Sequence, residues 1–245
     1  MEYIKKRPAR NAAPGPDNFK ATVWKKVPNV ILGHVANLFT LCLRRGYFSE
    51  IWRRVILVLI PKGPRGVSGE IKARPICLLD ELGKTFERVI AQRINFWLEN
   101  NEEHSLSENQ YGFRRARSTV DALLRVRELT REMVGRGGYA IAMGLDISNA
   151  FNSVPWGTIL AALEHKEIPV YLRAIVASYL SRRSIVYRNM EGCTMEREVR
   201  AGVPQGSVLG PLLWNIAFDS VLRLDAEEGC HTVCYADDTS HCHVG

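Results

Sequence analysis

Two adjacent carboxylates, Asp237 and Asp238, follow Tyr235 and Ala236 in a chain of 245 residues. Their flanks, Thr232 to Cys234 and Thr239 to Val244, favour strands, so the Ala-Asp-Asp stretch is expected at the tip of a tight hairpin. Like charges side by side repel until a divalent cation neutralises them, and hard oxygen ligands suit Mg²⁺ rather than zinc. An Asp pair is also an ordinary turn. The ligand reading gains weight from its company. Tyr139 to Ile147 is an apolar run read as a buried strand ending on Asp146, where a carboxylate costs stability unless it is paired or binds a cation. Ala201 to Leu212 holds Gly202, Gly206 and Gly210, which let backbone approach a ligand, and Gln205, which offers both donor and acceptor. Three Asp, a close-approach loop and basic residues upstream match nucleotidyl transfer, where two metal ions about 3.5–4 Å apart activate a hydroxyl and steady a triphosphate. Basic side chains would neutralise charge developing on the phosphates.

The net charge of +7 points to a polyanionic partner. The excess is concentrated at Arg44-Arg45, Arg53-Arg54, Lys62 to Arg74 and Arg114 to Arg117, though any one cluster could equally be a solvated helix face. The longest apolar stretch, Val55 to Pro61, is too short for a membrane span, and the residues after Met1 do not form a signal peptide. Six scattered cysteines suit reduced thiols inside a cell. A zinc site at Cys230, Cys234, His241, Cys242 and His243 is disfavoured, because these residues alternate between strand faces.

Elements that would position the carboxylates follow from periodicity and punctuation. Residues 1–16 read as an extended lead-in, and Val23 to Arg45 as one or two helices ending at Gly46. Ile51 to Ile60 reads as a strand, and Pro75 keeps Arg74 extended, able to reach phosphate. Glu81 to Leu98 is an amphipathic helix with Lys84, Glu87 and Arg93 off its apolar stripe. Aromatics interleave with arginines through Gln110-Tyr111-Gly112-Phe113-Arg114-Arg115-Ala116-Arg117, which suits a nucleic-acid backbone with stacked bases. Ser118 or Thr119 caps a helix from Val120 to Val134. Helices over Trp156 to His165 and Val170 to Leu180, a hairpin of Ser184 to Asn189 with Met195 to Arg200, and a helix from Leu212 to Leu224 complete the chain.

In order along the chain, Leu59 to Lys62, Arg74-Pro75-Ile76, Gln110 to Arg114, Asp146 to Trp156, Gly202 to Leu213 and Tyr235 to Asp238 resemble the reverse transcriptase of non-LTR (LINE-like) retrotransposons. The Asn149 to Trp156 segment is most similar to elements inserted in insect ribosomal DNA. The resemblance implies an α+β right-hand polymerase with a ferredoxin-like palm sheet: residues 17–138 mainly fingers, and 139–245 palm with an excursion toward the fingers at about 157–200. It implies RNA-directed DNA synthesis with two Mg²⁺, or Mn²⁺ as a substitute, on an RNA template with a DNA primer or target and dNTPs. Asp146, Asp237 and Asp238 would be the catalytic metal ligands, joined by the Ile147 carbonyl. Lys62, Arg74, Phe151, Gln205 and Gly206 would bind the nucleotide, Phe151 excluding a ribose 2′-hydroxyl. Arg114, Arg115, Arg117 and Tyr235 would contact nucleic acid. The family's thumb and endonuclease lie beyond both ends, so a fragment of a longer, intracellular and nuclear polyprotein is expected. A silent nucleic-acid-binding remnant is the alternative. A viral RNA-dependent RNA polymerase would more typically carry Gly before the Asp pair.

Overall fold

The computed structural model describes residues 13–61, 63, 73–135, 139–224 and 230–244. Helix α1 (Asn29–Arg45) starts after Pro28 and stops at Gly46, whose φ of 60° is left-handed. A Cβ there would meet the Ala174 Cβ at 2.7 Å, so both conformation and space call for glycine. The chain settles onto the fold earlier than its composition suggests: Gly15 abuts the Leu79–Asp80 backbone, and the Asp17 N–H donates to Asp80 Oδ1 at 2.9 Å.

Two sheets share the molecule. The first has the order β2-β1-β4-β5, with β1 Arg54–Pro61, β2 Ala73–Leu78, β4 Arg183–Arg188 and β5 Thr194–Val199. The hairpin β4–β5, expected from its turn, joins β1 in parallel through Arg54↔Ser184. Pro75 sits in β2, an edge strand that tolerates its missing donor. The second sheet is antiparallel, β3-β7-β6, with β3 Ala140–Leu145, β6 Cys230–Tyr235 and β7 Asp238–Val244.

Helix α2 (Glu81–Asn100) runs through the main core, where Phe86 meets Phe39 at 4.8 Å and Phe48 at 5.7 Å between ring centroids. Helix α3 (Thr119–Gly135) opens on a reciprocal cap in which Ser118 and Asp121 bond each other's N–H groups. It lays Ala122, Val126 and Leu129 on Val233 and Tyr235 of the second sheet. A one-turn α4 (Ala150–Ser153), α5 (Trp156–His165), α6 (Val170–Leu180) and α7 (Leu209–Phe218) follow. Beyond α7 a short 3₁₀ turn at Val221–Arg223 replaces the continuous helix expected to Leu224.

Strand β3 differs from its expectation more seriously. It is apolar but not buried: Ile141, Met143 and Leu145 stand on one exposed face, at the edge of a sheet whose helix covers mainly β6 and β7.

Candidate active site

The hairpin β6–β7 closes on a two-residue turn, Ala236-Asp237, with Tyr235 paired to Asp238. Ala236 takes a φ of 64°, the left-handed conformation such turns require. On the other edge β7 pairs with β3 as far as Leu145↔Thr239, so one further step of the ladder sets Asp146 level with Asp238. Asp146 therefore leaves its strand beside the turn. Asp146, Ile147 and Asp237 line one open cleft of about 280 Å³ together with Arg74, Phe151 and Gln205. Asp238 does not line it; as the first residue of β7 it is exposed. Asp146 and Asp237 are the carboxylates that line the cleft, and among the described residues no group of three or more His, Cys, Asp or Glu side chains is gathered to hold an ion. The Ile147 carbonyl accepts the Ala150 N–H at 3.3 Å, and Lys62 lies outside the described residues.

The glycine-rich loop is bolted to the segment after Asp146. The Gly202 N–H donates to the Val154 carbonyl at 2.8 Å, the Val203 N–H to the Phe151 carbonyl at 2.7 Å, and the Trp156 indole to the Gly202 carbonyl at 2.8 Å. Its other flank is tied to β2, where the Cys77 N–H donates to the Gln205 carbonyl at 2.8 Å. Gly206, at φ 113°, passes so close that a Cβ would stand 2.8 Å from the Cys77 oxygen. Between these ties the half-buried Phe151 ring lies 5.3 Å from Trp214 and 5.8 Å from Phe113, and borders the cleft.

The arginine-rich segment is largely turned inward. Arg114 donates to the Ser107 carbonyl at 2.6 Å, and Arg117 pairs with Glu108 while lying 5.0 Å over the Tyr111 ring. Burial pushes both guanidinium pKa values down, with nearby carboxylates opposing. Tyr235 packs toward α3, beneath the hairpin. Arg115 alone of the three arginines is exposed with no ion pair among the described residues. It borders a second groove of about 650 Å³ between α2 and the 105–115 segment, with Phe96 and Phe113.

Residues 60–243 match the reverse transcriptase (RNA-dependent DNA polymerase) family. The chain belongs to that family. It is 32% identical over 216 residues to the probable RNA-directed DNA polymerase from transposon BS of Drosophila melanogaster, covering 88% of this chain and 23% of that protein. It is equally 32% identical over 227 residues to a putative protein of the type-1 retrotransposable element R1DM of the same fly, covering 92% and 21%. The chain thus spans between a fifth and a quarter of the length of these curated relatives, and their equal identity does not single out one clade. Among solved structures, apo telomerase of Candida tropicalis truncated from its C-terminal domain superposes with a TM-score of 0.58 at 11% identity, over 93% of this chain and 50% of that one. The shared fold is that of a right-hand polymerase.

Within this reverse transcriptase fold, two buried polar residues bond the segments that flank the cleft, and periodicity did not reveal them. Glu87, expected off the apolar stripe of α2, is 0% exposed. Its Oε2 accepts the Val208 and Leu209 N–H groups at 2.6 and 3.0 Å, capping α7 directly after the glycine-rich loop. Burial raises its pKa, opposed by the Leu209 N–H and the charge of Arg183. Gln110, expected beside nucleic acid, is 1% exposed and reaches the Ala236 turn. A glycine three before a helix with a carboxylate elsewhere carries no pairwise signal in one sequence, so neither partner could have been named from it.

Proposed function

We propose that this chain carries the catalytic centre of an RNA-directed DNA polymerase acting on a primed RNA template with dNTPs. The observation that carries the proposal is that Asp146 and Asp237, far apart in sequence, face one cleft with Arg74, Phe151 and Gln205. The donor set is made of carboxylate oxygens, which fits Mg²⁺, an ion that commonly takes one or two carboxylates and completes its shell with water and substrate phosphate. Mn²⁺ fits the same oxygens. When bound, such ions supply a lowered pKa at the primer 3′-hydroxyl and charge neutralisation at the leaving pyrophosphate.

The chain's own residues do the rest. Asp146 and Asp237, which both line the cleft, would hold the ions, with Asp238 a further carboxylate next to the turn at the start of β7. Exposed Arg74, held extended by Pro75, meets the triphosphate from β2. Phe151, wedged against Trp214, presents its free edge to the sugar. Gln205 and Gly206 bring backbone against the nucleotide, and Arg115 with Phe113 and Phe96 lines a groove suited to a nucleic-acid strand. Residues 17–138 then serve mainly as fingers and 139–245 as palm; the pairing of β4 with β1 supports an excursion of 157–200 to the fingers side. A nuclear site of action accompanies this reading.

The test is single-nucleotide addition to a primer on an RNA template with Mg²⁺. Asp146→Asn and Asp237→Asn should each lower the rate by at least a hundredfold while leaving the thermal midpoint within a few degrees. Binding of the primed template without any extension by the unsubstituted protein would instead favour a silent nucleic-acid-binding remnant.

A further inference from the structure

We propose that Gln110 is a positioning residue for Asp237: its side-chain amide fixes the Ala236 peptide groups and thereby sets where the Asp237 carboxylate stands in the cleft. The inference rests on the polymerase reading of that cleft. Gln110 Oε1 accepts the N–H of Ala236 at 2.9 Å and that of Gly112 at 2.8 Å, while its Nε2 donates to the Ala236 carbonyl at 3.2 Å. Both backbone polar groups of the residue before Asp237 are thus bonded by one amide, with the oxygen and nitrogen each used for the role only it can fill.

Ala236 needs such a hold. Its φ of 64° is a conformation that glycine or asparagine adopts more readily, and an L residue persists there only when its surroundings over-determine it. The surroundings do so. The Trp214 indole donates to the same Ala236 carbonyl at 3.0 Å. The Tyr111 N–H donates to the Cys234 carbonyl at 2.7 Å and the Cys234 N–H to the Asn109 carbonyl at 2.8 Å, so Gln110 is delivered by a short parallel bridge. A Cβ on Gly112 would lie 2.2 Å from the Ala236 nitrogen, so the two backbones touch where only glycine fits. Asn215 completes the assembly by donating to the Gly112 carbonyl at 2.9 Å. The result is a buried, fully used amide one residue from a carboxylate whose placement decides the rate; a displacement near 1 Å can cost about a hundredfold.

Gln110→Glu keeps the two accepting bonds but turns a carboxylate oxygen toward the Ala236 carbonyl, and Gln110→Met keeps the volume without any bond. Mn²⁺ titration by calorimetry on the chain, with Asp237→Asn as control, reads the consequence. The expected result is about tenfold weaker Mn²⁺ binding in both Gln110 variants, and in primer extension a fall of about a hundredfold in kcat with the dNTP KM changed less than threefold. If Asp237→Asn leaves Mn²⁺ binding unchanged, the metal reading of the cleft fails and the inference with it. If Asp237→Asn weakens binding and the Gln110 variants do not, the positioning role alone is overturned. A measurement on the unsubstituted chain guards against variants that fail to fold: the Ala236 amide should exchange with deuterium as slowly as the strand amides of Val233 and Cys234. Exchange as fast as that of an exposed loop would show that the clamp does not exist.

Discussion

A Cβ added to Gly202 would stand 2.4 Å from the carbonyl oxygen of Asn152, nearer than any real side chain comes. Gly202 also holds a φ of 76°. Gly202→Ala therefore meets a steric and a conformational penalty together, which sum to about 2–4 kcal/mol. Because the same contact anchors the Phe151 segment to the loop, nucleotide addition should fall more steeply than stability. Urea unfolding beside single-nucleotide addition measures both, and a variant with wild-type midpoint and rate would show that the loop stands further from Asn152.

Phe151 packs against Trp214 in a tilted ring pair, 37° between planes, and also borders the cleft. Phe151→Val removes the ring, and a pocket difference of this size is worth about 1–3 kcal/mol, or tenfold to more than a hundredfold in discrimination. Incorporation of rNTP relative to dNTP should rise by that factor. An unchanged ratio would leave Phe151 as a packing residue only.

Glu87 gives a pH dependence whose sign is set by burial. Its native pKa is raised above the unfolded value, so its contribution to stability is fully present below the ordinary carboxylate range and is lost as pH rises through the raised native pKa. Glu87→Gln still accepts from Val208 and Leu209 but carries no charge to bury. The gap in thermal midpoint between variant and wild type should therefore widen in the variant's favour from acid toward neutral pH. A gap that stays constant across that range would mean that Glu87 titrates normally.

Lys166 and Asp219 form a buried pair at 2.7 Å, and Lys166 also donates to the His104 and Ser105 carbonyls while Asp219 accepts the Ser107 N–H. Burial depresses the Lys166 pKa, with Asp219 opposing, whereas for Asp219 burial is outweighed by its bonds to Lys166, Ser107 and Arg223. Lys166→Met leaves the buried Asp219 carboxylate with only the Ser107 N–H and the half-exposed Arg223 as hydrogen-bond partners and should cost about 3–5 kcal/mol. The double change Lys166→Met with Asp219→Leu should recover much of it, as measured by chemical unfolding. Equal stabilities of single and double variants would show that the pair carries no coupling.

What the sequence determined by itself was local. Gly46 ends α1, Ser118 caps α3, and the two-residue turn before Asp238 follows from strand-forming flanks, because each depends on neighbours a few residues apart. The ordered motifs from Leu59 to Asp238 were likewise sufficient to name the family. Tertiary structure alone decided which polar residues are buried and what they hold. A helical period assigns Glu87 to solvent, yet α7 arrives with unpaired N–H groups and takes it into the interior. Arginines interleaved with aromatics suit phosphate, yet Arg114 and Arg117 find carbonyls and Glu108 nearer. An apolar run predicts burial, yet β3 lies at a sheet edge with its Ile141, Met143 and Leu145 face bare. Periodicity reports a residue's preference for water or for apolar neighbours. Whether a donor, a charge or a covering helix stands within 3 Å depends on elements scores of residues away, and that is settled only when they pack.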